Sequence, residues 1–504
     1  MSKIVVDPVT RVEGHLKIET EVEDGVVKEA RSTGNLFRGF EILLQGRDPR
    51  DAQVITQRIC GVCPQSHGIA AALSLEDALG ISGQILDNAR LIRNLVQGIH
   101  VVQDHILHFY HLAALDYVDI AALEYYKGEN SVLNSVKDFI MRGEPGPFLP
   151  RYEGDYRLKA SLNQKVAAHY LDAFEIRRLG HEMVSIFSGK IPHSAGIVPG
   201  GVTCRPTMEM ITAFLWKLRK IRDFINTVYL PDVIAIGRVY HDYFEIGAGC
   251  RNYLSYGGYQ RHGTDPDADE PGSLYIRGIT SAKLRPAKLK ISKVAESVRH
   301  SWYEDYGVAK HPRGGETIPR YGKKGAYSWV KSPRYDGQVF EVGPLARVLV
   351  NYAHGDPAIT DLVDSSLSEL KLPASALFSV MGRHLARAVC AKYLADNIEK
   401  WLFEIKPEEP VFVEYTIPEE SAGAGLTEAS RGALGHWIEI KDKKIANYQC
   451  VVPTTWNASP SDENGNPGPI EQALTGVKVR DRENPFELVR IVRSFDPCLA
   501  CAIH

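Results

Sequence analysis

The chain is predicted to be an α+β protein: a predominantly helical core, built as a long helix bundle, flanked by small β-containing N- and C-terminal regions. Three observations predict this. His15 to Val22 (HLKIETEV) alternates with period two and runs into the turn pair Asp24-Gly25 before Val26-Val27, a hairpin pattern. In the middle, apolar residues recur at three- and four-residue spacing through Leu91, Leu95, Ile99, Val102, Ile106 and Phe109, the mark of a helix with a buried face. After Pro407 short strand-like runs return, Val411 to Val413 and Trp437 to Ile440, with Asp442 at a turn.

In chain order, Ile4-Val5-Val6 is a short strand, followed by the hairpin, and long helices are expected from about Ser74 to Tyr117. Leu158 to Phe187 and Met208 to Leu230 read as two more, the second ended by Pro231; Gly189 to Gly201 is the Gly/Pro loop between them. Gly257 to Ser273 and His311 to Gly325 are polar and turn-like, hence surface excursions, and Ser375 to Glu404 is another helix. With 504 residues the chain has room for two to four domains. No repeat, low-complexity linker or clean boundary divides it. The expectation is one interwoven unit, 1–504, with a β-rich region 1–57, a mainly helical core 58–406 and an α/β C-terminal region 407–504.

The hydrophobic fraction of 44%, the charged fraction of 24% and a formal net charge of -3 from well-interspersed charges are those of a soluble globular protein, and give no basis for a nucleic-acid or membrane-surface partner. No apolar run approaches the ~18 to 20 residues of a membrane span, and the N-terminus carries no signal peptide. A protein of this kind working outside the cytoplasm is expected to be carried there by something else.

Eight cysteines are too sparse for a disulfide scaffold, but their placement is informative. Cys60 and Cys63 form one Cys-x-x-Cys turn and Cys498 and Cys501 another, whereas Cys204, Cys250, Cys390 and Cys450 stand singly. A two-residue spacer lets the chain reverse and aim both sulfurs at one metal; Gly61 permits the turn and Pro64 stiffens its exit. Four such thiolates suit a structural zinc, an iron–sulfur cluster or a softer redox metal site. Zinc-ribbon pairs sit roughly 15 to 20 residues apart. Here more than four hundred positions intervene, which favours a catalytic centre over a local staple.

RICGVCPQSH (Arg58 to His67) and SFDPCLACAIH (Ser494 to His504) resemble the two signatures of the large subunit of nickel–iron hydrogenases. The likeness covers essentially the whole chain through DPVTRVEGHL from Asp7, LFRGFE from Leu36, HILHFYHLAALDYVD from His105, SPRYDGQVFEVGPLAR from Ser332, EASRGALGHW from Glu428 and NYQCVVPTTWN from Asn447. The compact length is similar to the nickel–iron–selenium type, in which selenocysteine stands where this chain has Cys498. The fold implied is that of the hydrogenase large subunit.

The resemblance implies reversible heterolytic cleavage of H2 to protons and electrons. Cys60, Cys63, Cys498 and Cys501 would hold nickel, and Cys63 and Cys501 would bridge to an iron carrying two cyanides and one carbon monoxide. Soft, deprotonated sulfur suits nickel through its changes of oxidation state. Cys498 would accept the proton and Glu13 carry it outward; by itself, a lone Glu on a short strand is a surface carboxylate. Arg431 resembles the arginine over the open metal edge, with Asp116 and Asp496 as carboxylate partners; the plain alternative is an internal ion pair. Ser430 replaces the usual proline, so the loop carrying Arg431 is expected to be less stiff. Thr454 and Pro453 would face the cyanides, and His67 a bridging thiolate. Glu41, the backbone carbonyl of Cys450 and His504 match a second site for magnesium or iron(II), where hard oxygens and one imidazole suit a six-coordinate ion.

Other features have ordinary readings. His100, His105, His108 and His111 share a helix but are expected to be buried hydrogen-bonding or interface residues. His181-Glu182 begins no zincin motif. Cys204, Cys250 and Cys390 are expected to be buried thiols. The chain has no further cysteine set for clusters, so the resemblance implies an iron–sulfur small subunit, in a heterodimer or a dimer of heterodimers, that takes the electrons and carries any export signal. The location implied is periplasmic or membrane-associated through that partner, otherwise cytoplasmic. Relatives are made with a C-terminal extension that is later removed, so a chain ending at His504 is expected to be the mature form. The competing readings are the related quinone-reductase subunit of respiratory complex I, which lacks the nickel ligands, and a structural zinc protein.

Overall fold

The computed structural model of the chain describes residues 2–143, 154–260 and 272–504. Its N-terminal sheet has three antiparallel strands in sequence order, Ser2–Val6, Leu16–Glu23 and Val26–Gly34. Leu16, Ile18 and Val22 are buried on one face, as the alternation requires, and Asp24 and Gly25 close the hairpin with positive φ of 51° and 77°. The open edge of this sheet is covered from the far end of the chain: Val27 N–H donates to the Val477 carbonyl at 2.9 Å and Val479 N–H to that of Gly25 at 2.8 Å. The two ends of the sequence are therefore folded as one body.

The helical core centres on Asp87–Leu107, buried on almost every side, and packed between a flanking helix, Ala160–Ser188, and a back helix, Val380–Glu404. Two expected boundaries shift. The back helix starts at Val380, not Ser375, because the Ser379 hydroxyl caps it by accepting from Gly382 N–H at 2.9 Å; Ala374–Leu377 is a separate 3₁₀ turn. Pro231 does not end the helix Met208–Phe224. A wide π turn, Ile225–Tyr229, carries the chain into a further helix, Leu230–Val239, where Pro231 sits in the first turn and its missing N–H costs nothing.

Of the two polar excursions, Gly257 to Ser273 lies largely outside the described residues, and its ends belong to paired strands, Asn252–Gln260 and Ser273–Ser281. His311 to Gly325 is mostly exposed but sends a buried Thr317 inward. The expected strand at Val411 to Val413 is a single bridge between Phe412 and Gly201. Among the described residues no helix is long and apolar enough to cross a membrane.

The C-terminal sheet, Glu420–Ala429, Gly432–Lys441 and Lys444–Val451, is antiparallel in sequence order. Against it lies the cysteine helix, Pro64–Ala78, and the approach is too close for side chains. A Cβ on Gly425 would stand 2.0 Å from the Ala70 carbonyl oxygen, and one on Gly423 2.3 Å from that of Ser74. Gly425→Ala is therefore expected to cost about 3 kcal/mol or more, because backbone must move to admit it. A lowered denaturation midpoint would show this, and an unchanged one would mean that helix and sheet can part by an ångström at no cost.

Candidate metal centre

The cysteine helix begins where the first Cys-x-x-Cys turn ends. Cys60 is extended after a 3₁₀ turn, Gln57–Ile59; Cys63 is the N-cap, and Pro64 occupies the first helical position, where a proline is harmless. The second turn mirrors this, with Cys498 extended at the head of the short helix Leu499–Ala502. Asp496 has positive φ (56°), unusual for a non-glycine residue, and swings the chain into Pro497 and Cys498.

Two devices bring the turns together. Glu13 forms a parallel bridge beside Cys498: its N–H donates to the Pro497 carbonyl at 3.3 Å and its carbonyl accepts from Leu499 N–H at 2.8 Å. The Arg38 guanidinium donates to the carbonyls of Ile59 at 2.5 Å and Ala500 at 2.6 Å, clipping one turn to the other. The Sγ atoms of all four cysteines then lie within 4.8 Å of one another, all buried, with Cys60–Cys498 at 3.4 Å, Cys63–Cys501 at 3.1 Å and Cys498–Cys501 at 2.9 Å. Hydrogen bonds from Cys498, Cys501 and Cys63 hold the Cys60 sulfur far below the usual thiol range. Burial and the neighbouring sulfurs push Cys498 and Cys501 well above it. Packed without a cation, the four sulfurs cannot all ionise; a soft divalent metal resolves this, which is how the donor set fits one.

Above the sulfurs Arg431 sits at the tip of the hairpin between the first two strands of the C-terminal sheet, buried. Its guanidinium donates to Asp496 Oδ1 at 2.9 Å, to the Asp496 carbonyl at 2.8 Å and to Asp104 Oδ2 at 3.0 Å. The expected partner Asp116 is elsewhere: its Oδ1 accepts from Arg11 and Arg493, both at 2.5 Å. The correction follows from the helix ending in between, since Asp104 is on the last turns of Asp87–Leu107 while Asp116 lies beyond a π segment, His108–Ala113. The stiffness a proline at Ser430 would supply comes from Arg347, which donates to the carbonyls of Ala429 at 2.6 Å and Ser430 at 3.2 Å.

A small apolar pocket beside the sulfurs is lined by Cys63, Cys501, Ser66, His67, Pro453 and Thr454, among others. The Thr454 hydroxyl accepts from Cys498 N–H at 3.0 Å, and His67 Nδ1 meets His436 Nε2 at 3.2 Å, which in turn is tied to the Tyr448 hydroxyl at 2.8 Å.

A Glu41 carboxylate oxygen, the Cys450 sulfur and a His504 ring nitrogen form a second buried set within 4.8 Å of one another, with the thiol of Cys450, rather than its carbonyl, as the third atom. His504 Nδ1 lies 2.8 Å from the Cys501 carbonyl, which can only accept, so the ring hydrogen belongs on Nδ1. Nε2 lies 3.0 Å from Glu41 Oε1, a contact held by a proton on an imidazolium or, with the ring neutral, by a cation between the two acceptors, which is how the set fits one. Lys331 Nζ, 2.9 Å from Glu41 Oε2, and the Thr317 hydroxyl occupy the other carboxylate oxygen, and Cys450 N–H donates to Oε1 at 2.8 Å. Burial raises the Glu41 pKa, but Lys331 and His504 outweigh it and hold the carboxyl ionised.

Asp104, Arg38, Lys331 and Thr317 were not anticipated as site residues. Asp104 had a weak signal, as the one carboxylate of the central helix after its first residue, and Arg38 stood in the LFRGFE motif; Lys331 and Thr317 had none. No other group of His, Cys, Asp and Glu among the described residues is close enough to hold a metal, so the run His100, His105, His108 and His111 is not a ligand set. Cys390 is buried, but Cys204 and Cys250 are only partly so, lying in loops that precede a helix and a strand.

Residues 38–504 match the family model described as nickel-dependent hydrogenase, and residues 3–33 a model described as HoxL-like. The periplasmic NiFeSe hydrogenase large subunit of Desulfomicrobium baculatum is 41% identical over 516 aligned residues, which span 100% of this chain and 95% of that protein. The uptake hydrogenase large subunit of Bradyrhizobium diazoefficiens is 39% identical with the same coverage. Among solved structures, a reduced, active form of the NiFeSe hydrogenase from Desulfomicrobium baculatum superposes with a TM-score of 0.88 at 41% identity, covering 100% of both chains. With four convergent thiols that fit a nickel–iron centre, and likeness along its full length, the chain belongs to the nickel-dependent hydrogenase family.

Proposed function

We propose that this chain is the catalytic subunit of a heterodimeric hydrogenase that cleaves H2 reversibly into protons and electrons. The observation that carries the reading is the contact between the four-sulfur cluster and a proton acceptor: Cys498 Sγ lies 3.1 Å from Glu13 Oε2. Cys60, Cys63, Cys498 and Cys501 would hold nickel, with Cys63 and Cys501 shared with an iron bearing two cyanides and one carbon monoxide. That pair supplies the site where H2 binds and its electrons are taken up.

The chain's own part is proton handling and electrostatics. Cys498 takes a proton at Sγ and delivers it to Glu13 Oε2, which Ala500 N–H holds in place at 2.8 Å. Arg431, fixed by Asp104 and Asp496, sets a positive charge over the sulfurs. Thr454, Pro453 and His67 shape the apolar pocket at the Cys63–Cys501 side. Glu41, His504 and the Cys450 carbonyl would take magnesium or iron(II), pinning the C-terminal segment against the centre.

Electrons leave through an iron–sulfur small subunit. Exposed Leu36, Leu43 and Val54 stand on the segment leading into the first cysteine turn and support docking there. A periplasmic location with the export signal on the partner is supported by the relative named periplasmic. The test is methyl-viologen reduction under H2 by the metal-replete heterodimer, with nickel and iron measured in the same sample. Absence of reduction, or zinc in place of nickel, would defeat the reading.

Because three of the four thiols start protonated, nickel binding to the metal-free chain is expected to release about three protons, and apparent affinity to fall steeply as pH falls. Calorimetric titrations in buffers of different ionisation enthalpy count them; binding without proton release would contradict the thiol assignment.

A further inference from the structure

The Glu76–Arg93 ion pair, at 2.6 and 3.0 Å, fixes the antiparallel register of the cysteine helix Pro64–Ala78 against the central helix Asp87–Leu107. Toward the head of the cysteine helix, Ser66 lines the pocket that holds Arg431 and Asp104 accepts from that same arginine, with His100 one turn before Asp104 and Gln65 next to Ser66. These four side chains are at most 1% exposed, yet no group among the described residues hydrogen-bonds to either amide atom of Gln65, the Ser66 hydroxyl, either ring nitrogen of His100, or Asp104 Oδ1. Gln103 Oε1, one helical turn from His100, is in the same state. So many unpaired polar atoms in one buried strip would be costly, and ordered water is the usual remedy.

The strip has two ends. At the inner end Asp104 binds Arg431, and Ser66 lines the pocket that holds Cys63, Cys501 and Arg431. At the outer end the flanking helix Ala160–Ser188 closes on the central helix at Gly180, where a Cβ would lie 2.8 Å from that of Gln103. The next residue, His181, is partly exposed and lines a surface groove with Arg177, Glu182 and Ser185.

We propose that Gln65, Ser66, His100 and Asp104 line a water-filled seam that passes protons between the Arg431 edge of the metal centre and the groove at His181, with His100 as the relaying group. Burial holds the His100 ring neutral, its pKa brought down to about 4. A neutral imidazole accepts a proton at one nitrogen and releases one from the other, so charge is conserved and no other reactant is needed. The seam shares no residue with the Cys498–Glu13 contact. Its use, though not its existence, rests on the hydrogenase reading.

The experiment uses the metal-loaded heterodimer and two readouts. Crystals that show ordered water should reveal a chain of waters joining His100, Gln65 and Asp104. Exchange of D2 with water is measured for the wild type, for Glu13→Gln, and for Glu13→Gln combined with His100→Phe or with Gln65→Leu, the second guarding against misfolding of the first. Glu13→Gln should keep a residual exchange that falls a further tenfold, about, in either combination, with nickel content and melting temperature unchanged. Residual exchange untouched by both, or abolished by Glu13→Gln alone, overturns the relay. A wild type that exchanges nothing overturns the hydrogenase reading instead, and the water chain still decides the seam: a dry strip, with His100 bonded to protein groups, overturns it.

Discussion

Glu13→Gln is expected to slow H2-dependent dye reduction by about 10²- to 10⁴-fold, on the order of 3 to 5 kcal/mol of barrier, without loss of nickel or of stability. The geometry separates the two effects. Glu13 is placed by its backbone, through the Pro497 and Leu499 hydrogen bonds, so the substitution does not move it. Its Oε2 accepts from both the Cys498 thiol and Ala500 N–H, and the amide oxygen of glutamine can accept from both as well. What glutamine cannot do is take the proton and hand it on. The melting temperature and metal content of the variant heterodimer should therefore match the wild type while turnover collapses. Turnover at the wild-type rate would mean that protons leave Cys498 by another group. A variant that loses nickel would mean that the carboxylate serves to hold the cysteine turns together.

Why the sulfur quartet was legible and the groups around it were not follows from how far each signal reaches along the chain. A Cys-x-x-Cys turn is local, and two of them in one chain name all four sulfurs, though not the metal they hold. The alternation of His15 to Val22 and the Asp24-Gly25 turn are equally local, and both stand as expected. Arg431 could be picked out through its motif, but its carboxylates depend on where the central helix stops. The π segment His108–Ala113 carries Asp116 away to Arg11 and Arg493 and leaves Asp104 at the centre. Pro231 misled for the same reason, since a π turn just before it let the chain continue helically. Around Glu41, His504 was found because it sits in the cysteine signature. Lys331 and Thr317 come from separate segments with no pattern of their own, and Gln449, though inside NYQCVVPTTWN, carries nothing that points to Glu41.

The buried histidines should make the fold acid-labile well above the range where carboxylates usually decide. Burial depresses His67 to about 3 and His100 to about 4, and drives His105, His108, His384 and His436 well below the ordinary imidazole value. Each is neutral when folded but binds a proton when unfolded, so its stabilising contribution is complete above about pH 6.5 and is lost as pH falls below it. Three buried carboxyls act the other way: Glu296, Glu428 and Glu471 are raised to about 7, favour the folded state below their unfolded value, and lose that contribution as pH rises through 7. Near pH 5.5 the unfolded chain holds about six protons on these histidines and the folded chain about three on these carboxyls. The difference, roughly three protons, is worth about 4 kcal/mol per pH unit, comparable within two units to the whole stability of a domain. The denaturation midpoint is thus expected to fall steeply between about pH 6 and 5; a flat profile there would mean that the histidines are hydrated or charged in the fold. His384→Phe isolates one contribution, because that ring already packs against Phe109, Tyr117 and His108 and phenylalanine keeps the contacts. Its profile should be shallower by about 1.4 kcal/mol per pH unit, one proton's worth, and a slope equal to the wild type would remove His384 from the set.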